Sequence, residues 1–290
     1  MKLTTEDLLK LKNLAIEAAA GAAKHIQDNS GKITEVRHKE GMKSKASAVV
    51  TEIDLQCQEL ILEKLSGSIK EYDLGLLTEE LADDGSRLEK DFFWCIDPLD
   101  GTLAFTEQRP GYAVSIALVS KEGKPIIGIV HDPITGEVYD AIGDTGYHLP
   151  KPIGEDKQVL CCHFDNSIKY HPKRDLIFSE LQKSVEKLGL DELQIHYGKG
   201  AVLNACHVAK SKYGLYFKFP KKEKGGGCIW DFAATACLFE EMGLIATDVS
   251  GRKLNLNNYN STFFNHCGVL FATDEKLQTV VLKLFEKFSG

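Results

Sequence analysis

The chain has no surplus of positive charge: 42 acidic residues against 35 basic ones leave a formal charge of −7. A nucleic-acid polymer is gripped by clustered Lys and Arg that displace counterions, so this balance argues against such a partner. No apolar run reaches the roughly 20 residues that span a bilayer. The N-terminus, Met1 to Lys12, is charged and amphipathic and lacks the basic stretch followed by an apolar core that marks an export signal. Together these absences point to a cytoplasmic protein with no membrane partner. The eight cysteines, at 57, 95, 161, 162, 206, 228, 237 and 267, include no C-x-x-C pair and lie mostly in apolar runs, so they read as reduced packing residues. Internal repeats and low-complexity tracts are missing too. What remains is an ordinary globular composition, 43% hydrophobic and 27% charged, on a chain of 290 residues that can bury a substantial core.

Thr4 and Asp7 have capping-box spacing, and Leu8, Leu11, Ala15, Ala18, Ala19 and Ala22 follow at helical intervals, which predicts an amphipathic first helix. Gly31-Lys32 leads into a charged stretch, Glu35 to Lys45, read as a mobile loop. A second helix is expected from a Thr51 cap through Leu60, Ile61 and Leu65, with Asp54 in its first turn. Leu74, Leu76 and Leu77, then Phe92 to Ile96, fit buried strands, the latter ending at Asp97-Pro98. Ala113 to Val119, Pro125 to His131 and Glu137 to Ile142 read as an antiparallel meander, split by Gly123 and by the Pro133-Ile134-Thr135-Gly136 turn. Beyond about residue 150 helical and extended runs alternate: strands near Val159 and Leu193, helices over Leu176 to Leu188 and Ala201 to Ala209, and a strand over Tyr213 to Phe219. A helix over Trp230 to Met242, capped by Gly243, follows. The pattern reads as α/β in two halves, an α+β half over 1–150 with the meander and most candidate ligands, and an α/β half over 151–290.

Asp97-Pro98-Leu99-Asp100-Gly101-Thr102 sets two carboxylates three residues apart at a strand end, where Pro98 stops the ladder and Gly101 allows a tight turn. Carboxylates so close repel unless a cation lies between them, and hard oxygen donors favour Mg²⁺ or Mn²⁺ over zinc. Each acid also has an ordinary reading. Asp-Pro and Asp-Gly are common turn dipeptides. Glu79-Glu80 could be a solvated pair, although it follows a strand. Asp231, after Gly225-Gly226-Gly227, could simply favour a helix N-terminus, and Asp54 has capping-box spacing with Thr51. His163, His171, His207 and His266 lack i, i+4 spacing and read as structural.

Taken in order, Glu79-Glu80, the Asp97 to Thr102 motif, and Trp230-Asp231 with Ala233 and Ala234 resemble the inositol monophosphatase superfamily of lithium-sensitive, magnesium-dependent phosphatases; Val49 to Asp54 matches a further segment. The resemblance implies a layered α-β-α-β-α sandwich of the sugar-phosphatase type, with its metal site in the cleft between halves. It implies that Glu79, Asp97, Asp100, Asp231 and the backbone carbonyl of Leu99 bind two or three Mg²⁺ ions, with Mn²⁺ possible. It further implies that Thr102 with Asp54 activates the nucleophile and that Glu80 assists the attacking water. Hydrolysis of a small phosphomonoester would then use metal-activated water and no covalent intermediate. The N–H groups of Gly101 and Thr102, where a helix begins, could hold the phosphate.

The shared metal site does not separate the superfamily's inositol monophosphatases, 3'(2'),5'-bisphosphate nucleotidases and fructose-1,6-bisphosphatase-like members. The run from Asp97 to Val130, with Gly123 to Gly128, is more similar to the nucleotidases. Lys218, Lys221, Lys222 and Lys224 precede the glycines, and Lys224 stands seven before Asp231, where the inositol enzymes carry an acid for substrate hydroxyls. That favours a second anionic group and makes Lys224 a candidate substrate contact; a solvated basic loop is the other reading. Departures run the opposite way: Leu103 stands where nucleotidases usually carry Lys, Cys161-Cys162-His163-Phe164 replaces a Ser-Arg-Ser-His segment, and Gly198 to Ala209 is as similar to the inositol enzymes. The reading leans to a nucleotidase converting 3'-phosphoadenosine 5'-phosphate to AMP. The alternative is an inositol monophosphatase or a fructose-1,6-bisphosphatase-like sugar phosphatase, and the alternative of another class is a non-catalytic protein that binds a metal or phosphorylated ligand. The expected partner is a small phosphorylated metabolite, met by a monomer or homodimer.

Overall fold

The Thr4–Asp7 capping box forms as expected, with the Asp7 N–H donating to Thr4 Oγ1 at 3.2 Å and the Thr4 N–H donating to Asp7 Oδ2 at 2.8 Å. From it runs α1 (Thr5–Asn29), which buries the stripe Leu11, Ala15, Ala18, Ala19 and Ala22. In this computed structural model, residues 2–30, 36–38, 49–151 and 158–289 are described. The Thr51 hydroxyl expected as a cap, and most of the expected loop over 35–45, lie outside the described residues. Part of that loop is extended: β1 (Val36–His38) pairs antiparallel with β2 (Val49–Thr51).

The remaining elements are α2 (Glu52–Glu71), β3 (Gly75–Thr78), α3 (Ser86–Glu89), β4 (Phe92–Asp100), α4 (Thr102–Thr106), β5 (Ala113–Ser120), β6 (Pro125–His131), β7 (Val138–Ile142) and β8 (Gly146–His148), then β9 (Val159–Phe164), α5 (Arg174–Leu188), β10 (Glu192–Tyr197), α6 (Ala201–Ala209), β11 (Tyr213–Lys218), α7 (Ile229–Glu241), β12 (Ile245–Thr247), β13 (Val269–Ala272) and α8 (Glu275–Ser289). One sheet has the order β3-β4-β5-β6-β7-β8 and the other β10-β9-β11-β13-β12. Three apolar clusters stack the layers. Residues of α1 and α2 pack with one face of the six-stranded sheet, α6 and α7 fill the space between the sheets, and α5 and α8 cover the far face of the five-stranded sheet. This is the α-β-α-β-α order. No helix among the described residues is long and apolar enough to cross a membrane, and the eight cysteines are free.

Strand alternation sets the direction of the chemistry. Along β4, Trp94 and Ile96 face α1 and α2, whereas Phe93 and Cys95 face α7. Asp97 continues the second series and therefore meets the first turn of α7, which the Ser115 hydroxyl of β5 ties down by donating to the Trp230 carbonyl at 3.3 Å. The ladder does not end at Asp97-Pro98 as expected. Its register shifts between Asp97 and Asp100, and pairing resumes at Asp100 with Ala113. Pro98 has no N–H to give, and the Leu99 N–H turns aside to Asp97 Oδ1 at 3.1 Å, but the backbone stays extended and a bulge results in place of a stop.

α8 was not expected from the sequence, yet its signals are plain. Asp274 Oδ1 accepts from the N–H groups of Lys276 and Leu277 at 2.8 and 3.0 Å, and Leu277, Val281 and Leu284 are buried at helical spacing.

Candidate active site

Three carboxylates converge where the β4 bulge meets the first turn of α7. One oxygen from each of Asp97, Asp100 and Asp231 lies within 4.8 Å of the others. Asp231 is the third residue of α7, and its Oδ2 accepts from the Cys228 N–H at 2.7 Å, which is the capping role expected as one of its two readings. Asp100 also has a second task. Its Oδ1 accepts from the Ala201 N–H at 3.1 Å and its Oδ2 from the Val202 N–H at 2.9 Å, which satisfies the first turn of α6. Only a residue without Cβ fits at position 200, because a methyl there would overlap the Asp100 carboxylate.

Burial, then the charges of Glu79, Asp100 and Asp231, push the Asp97 carboxyl well above its ordinary range. Burial, then Asp231, does the same to Asp100. Asp231 is pushed up to about 6 by burial, with the cation of Lys218 pulling the other way. Asp97 Oδ2 is buried and receives no hydrogen bond from the described residues. Like charges in low dielectric with an unmet oxygen call for a cation, and a set of carboxylate oxygens fits a hard ion such as Mg²⁺ or Mn²⁺. The nearby Cys228 thiol offers no thiolate, since burial and then Asp231 push its pKa well up.

β3 runs parallel to β4 with Thr78 opposite Ile96, and the Glu79 N–H donates to the Ile96 carbonyl at 3.2 Å. Glu79 therefore stands beside Asp97, although outside the 4.8 Å set. Glu80 follows, its N–H donating to Gln58 Oε1 and Thr78 Oγ1, each at 3.2 Å. On the other side of the bulge the buried Thr102 hydroxyl is 3.3 Å from Asp54 Oδ2 and 3.0 Å from the Leu99 carbonyl, so the expected Asp54–Thr102 pair is brought together. Gly101, at φ 85°, makes the turn into α4.

Lys224 is exposed, with its ammonium 5.0 Å from the centre of the Phe263 ring. The lysine nearest the carboxylates in effect is Lys218, at the end of β11, which pairs with Asp165 at 2.7 Å. Counting seven residues back from Asp231 passes over the 219–228 loop and so lands on Lys224. Asp165 was not singled out from the sequence, yet it carries the same signal as Glu79: an acid one residue past a strand. Among the described residues no histidine joins the carboxylate cluster. His163 stacks on His196 with centroids 4.8 Å apart and neighbours His207, and burial lowers its pKa to about 2.

The model of the inositol monophosphatase family matches residues 7–289. The Nus factor SuhB of Vibrio cholerae is 29% identical over 82% of this chain and 85% of its own length. Inositol monophosphatase 2 of Solanum lycopersicum is 28% identical over 84% and 89%. The solved structure of the extragenic suppressor protein SuhB from Bartonella henselae, 21% identical, superposes with a TM-score of 0.71 over 96% of this chain and 99% of that one, a likeness of fold.

Proposed function

This chain belongs to the inositol monophosphatase family of phosphatases, and on that premise we propose that it hydrolyses a small phosphorylated metabolite using Mg²⁺ held by Glu79, Asp97, Asp100, Asp231 and the Leu99 carbonyl. The observation that carries the reading is the buried, all-carboxylate cluster with an unmet Asp97 oxygen. Bound divalent cations would make water acidic enough to attack near neutral pH and would offset charge on the phosphoryl oxygens.

The chain's own residues supply the rest. Thr102, donating its proton to Asp54, presents a lone pair that accepts a hydrogen from the attacking water and orients it. Glu80, held by its backbone to Gln58 and Thr78, is the second acceptor near that water. The N–H groups of Gly101 and Thr102, at the start of α4, hold phosphoryl oxygens. The two halves, 1–150 and 151–290, would flank the substrate, and a cytoplasmic location belongs to the same reading.

For the ester itself, Lys218, Lys221, Lys222 and Lys224, which precede Asp231 in the sequence, support a substrate with a second anionic group, a 3'(2'),5'-bisphosphate nucleotide. An inositol phosphate is the second reading, supported by the similarity to the tomato enzyme. A phosphate-release panel with Mg²⁺ separates them, comparing 3'-phosphoadenosine 5'-phosphate, inositol 1-phosphate and fructose 1,6-bisphosphate, each with and without Li⁺. The nucleotide is expected to turn over fastest and Li⁺ to inhibit. Preference for inositol 1-phosphate would reverse the substrate assignment. Tight binding of these esters without phosphate release would instead support the non-catalytic alternative.

A further inference from the structure

β9 and β11 are parallel neighbours, with Tyr216 opposite His163. Just past the end of β9 lies Asp165, and the last residue of β11 is Lys218. The carboxyl ends of parallel strands are where open α/β sheets hold ligands. Lys218 Nζ is 2.7 Å from Asp165 Oδ2, while Asp165 Oδ1 accepts from the Tyr216 hydroxyl at 3.2 Å and from the Asn204 amide at 3.1 Å. Partners on β11 and α6 thus pin the carboxylate, and the carboxylate pins the ammonium. The Lys218 side chain keeps 18% of its surface and that of Asp165 25%, so the pair forms a wall with one open side.

That wall belongs to the same cleft as the acids. The Lys218 ammonium is 5.6 Å from the centre of the Phe232 ring, the residue after Asp231, and its charge acts on both Asp231 and Asp100. A second cation follows three residues on: Lys221 is exposed, and desolvation and then the charge of Lys218 lower its pKa, while Glu223 and Asp165 act to raise it. A half-buried ion pair costs desolvation, and packing alone would be served as well by apolar residues of similar size.

We propose that Lys218, held in place by Asp165, binds the second anionic group of a substrate carrying two, so that one phosphate is hydrolysed at the carboxylates while the other meets the ammonium. The inference rests on the phosphatase reading above and narrows its substrate to bis-anionic esters. A neutral polyol monophosphate would leave the cation facing hydroxyls. Nucleoside bisphosphates and sugar bisphosphates share the required chemistry, and separate substrates distinguish them.

The test compares the wild type with Lys218→Arg, Lys218→Met, and Lys218→Met combined with Asp165→Asn, which leaves no unpaired carboxylate. In both Met variants the ratio of kcat/KM for 3'-phosphoadenosine 5'-phosphate or fructose 1,6-bisphosphate over that for inositol 1-phosphate falls at least about tenfold, chiefly through KM, as expected for a lost charge-assisted contact. Lys218→Arg retains the ratio. Whichever bisphosphate shows the larger fall is the source of the second anion. Equal losses on monophosphate and bisphosphates, an unchanged ratio, or a wild type that prefers inositol 1-phosphate overturns the proposal. A wild type that releases phosphate from none of the three overturns the phosphatase reading instead. Calorimetric binding of AMP in Mg²⁺ then judges the pair alone: at least about tenfold weaker binding in both Met variants sustains it, and equal affinity overturns it.

Discussion

Asp97→Asn is expected to lower Mg²⁺-dependent phosphate release by at least about a hundredfold, the upper range for losing even an outer-shell partner of a metal site, and to make the metal-free protein more stable. Both effects have one cause. Asp97 is buried on the α7 side of β4, its carboxyl is pushed up by burial and by Glu79, Asp100 and Asp231, and its Oδ2 receives no hydrogen bond from the described residues. The amide keeps the shape and loses the charge, so it removes repulsion and a candidate ligand at once. The sign with pH follows from linkage. A carboxyl whose folded pKa is raised keeps its proton in the folded state after the unfolded chain has released it near pH 4. Metal-free stability therefore falls as pH rises from about 4, through about 6 for Asp231, and onward for Asp97 and Asp100, whose pKa values are raised well above the ordinary range. Thermal melts in EDTA at pH 5 and pH 8 check this. The wild type should lose more stability than Asp97→Asn between the two, and Mg²⁺ should restore the wild type most at pH 8. A larger loss in the variant would contradict the assignment.

Gly200→Ala is the second large effect, although position 200 bears no functional group. The added methyl must displace the Asp100 carboxylate, which caps α6 through Ala201 and Val202 and belongs to the carboxylate cluster. Lost capping costs about 0.5–2 kcal/mol, and overpacking typically adds about 1–3 kcal/mol. Each kcal/mol lowers Tm by roughly 2–4 °C in a domain of this order of size. Phosphate release should fall at least about tenfold, and the Mg²⁺ concentration for half-maximal rate should rise, since misplaced ligands act like a disturbed outer shell. Wild-type melting and wild-type Mg²⁺ dependence in Gly200→Ala would show that Asp100 does not need its present position.

Position 200 also illustrates what could be read in advance. α1, α2, α5, α6, α7 and the strands of both sheets from β3 to β11, apart from the short β8, announced themselves through period, capping residues and turn glycines, which are local signals. Asp97, Asp100, Asp54, Thr102 and Asp231 were legible as acids and a hydroxyl at element ends. Their meeting was not, because Asp54 and Thr102 are 48 residues apart and Asp100 reaches α6 across 101 residues. The role of Gly200 depends wholly on that long-range contact. Pro98 misled in the opposite sense: its missing N–H was read as the end of a strand, whereas the sheet absorbs the loss in a bulge. The Lys218–Asp165 pair joins two parallel strands whose pairing no local pattern states. α8 had its cap and its apolar period in the sequence, so there the signal was present and not used.

In the proposed phosphatase, divalent metal sits at the cluster of Asp97, Asp100 and Asp231. Anomalous scattering from crystals grown with Mn²⁺, using enzyme first shown to release phosphate with that ion, tests it most directly. Mn²⁺ peaks are expected within coordination distance of all three carboxylates, with at least one peak next to Asp97 Oδ2. Active enzyme whose Mn²⁺ peaks lie elsewhere, with these carboxylates bare, would contradict it.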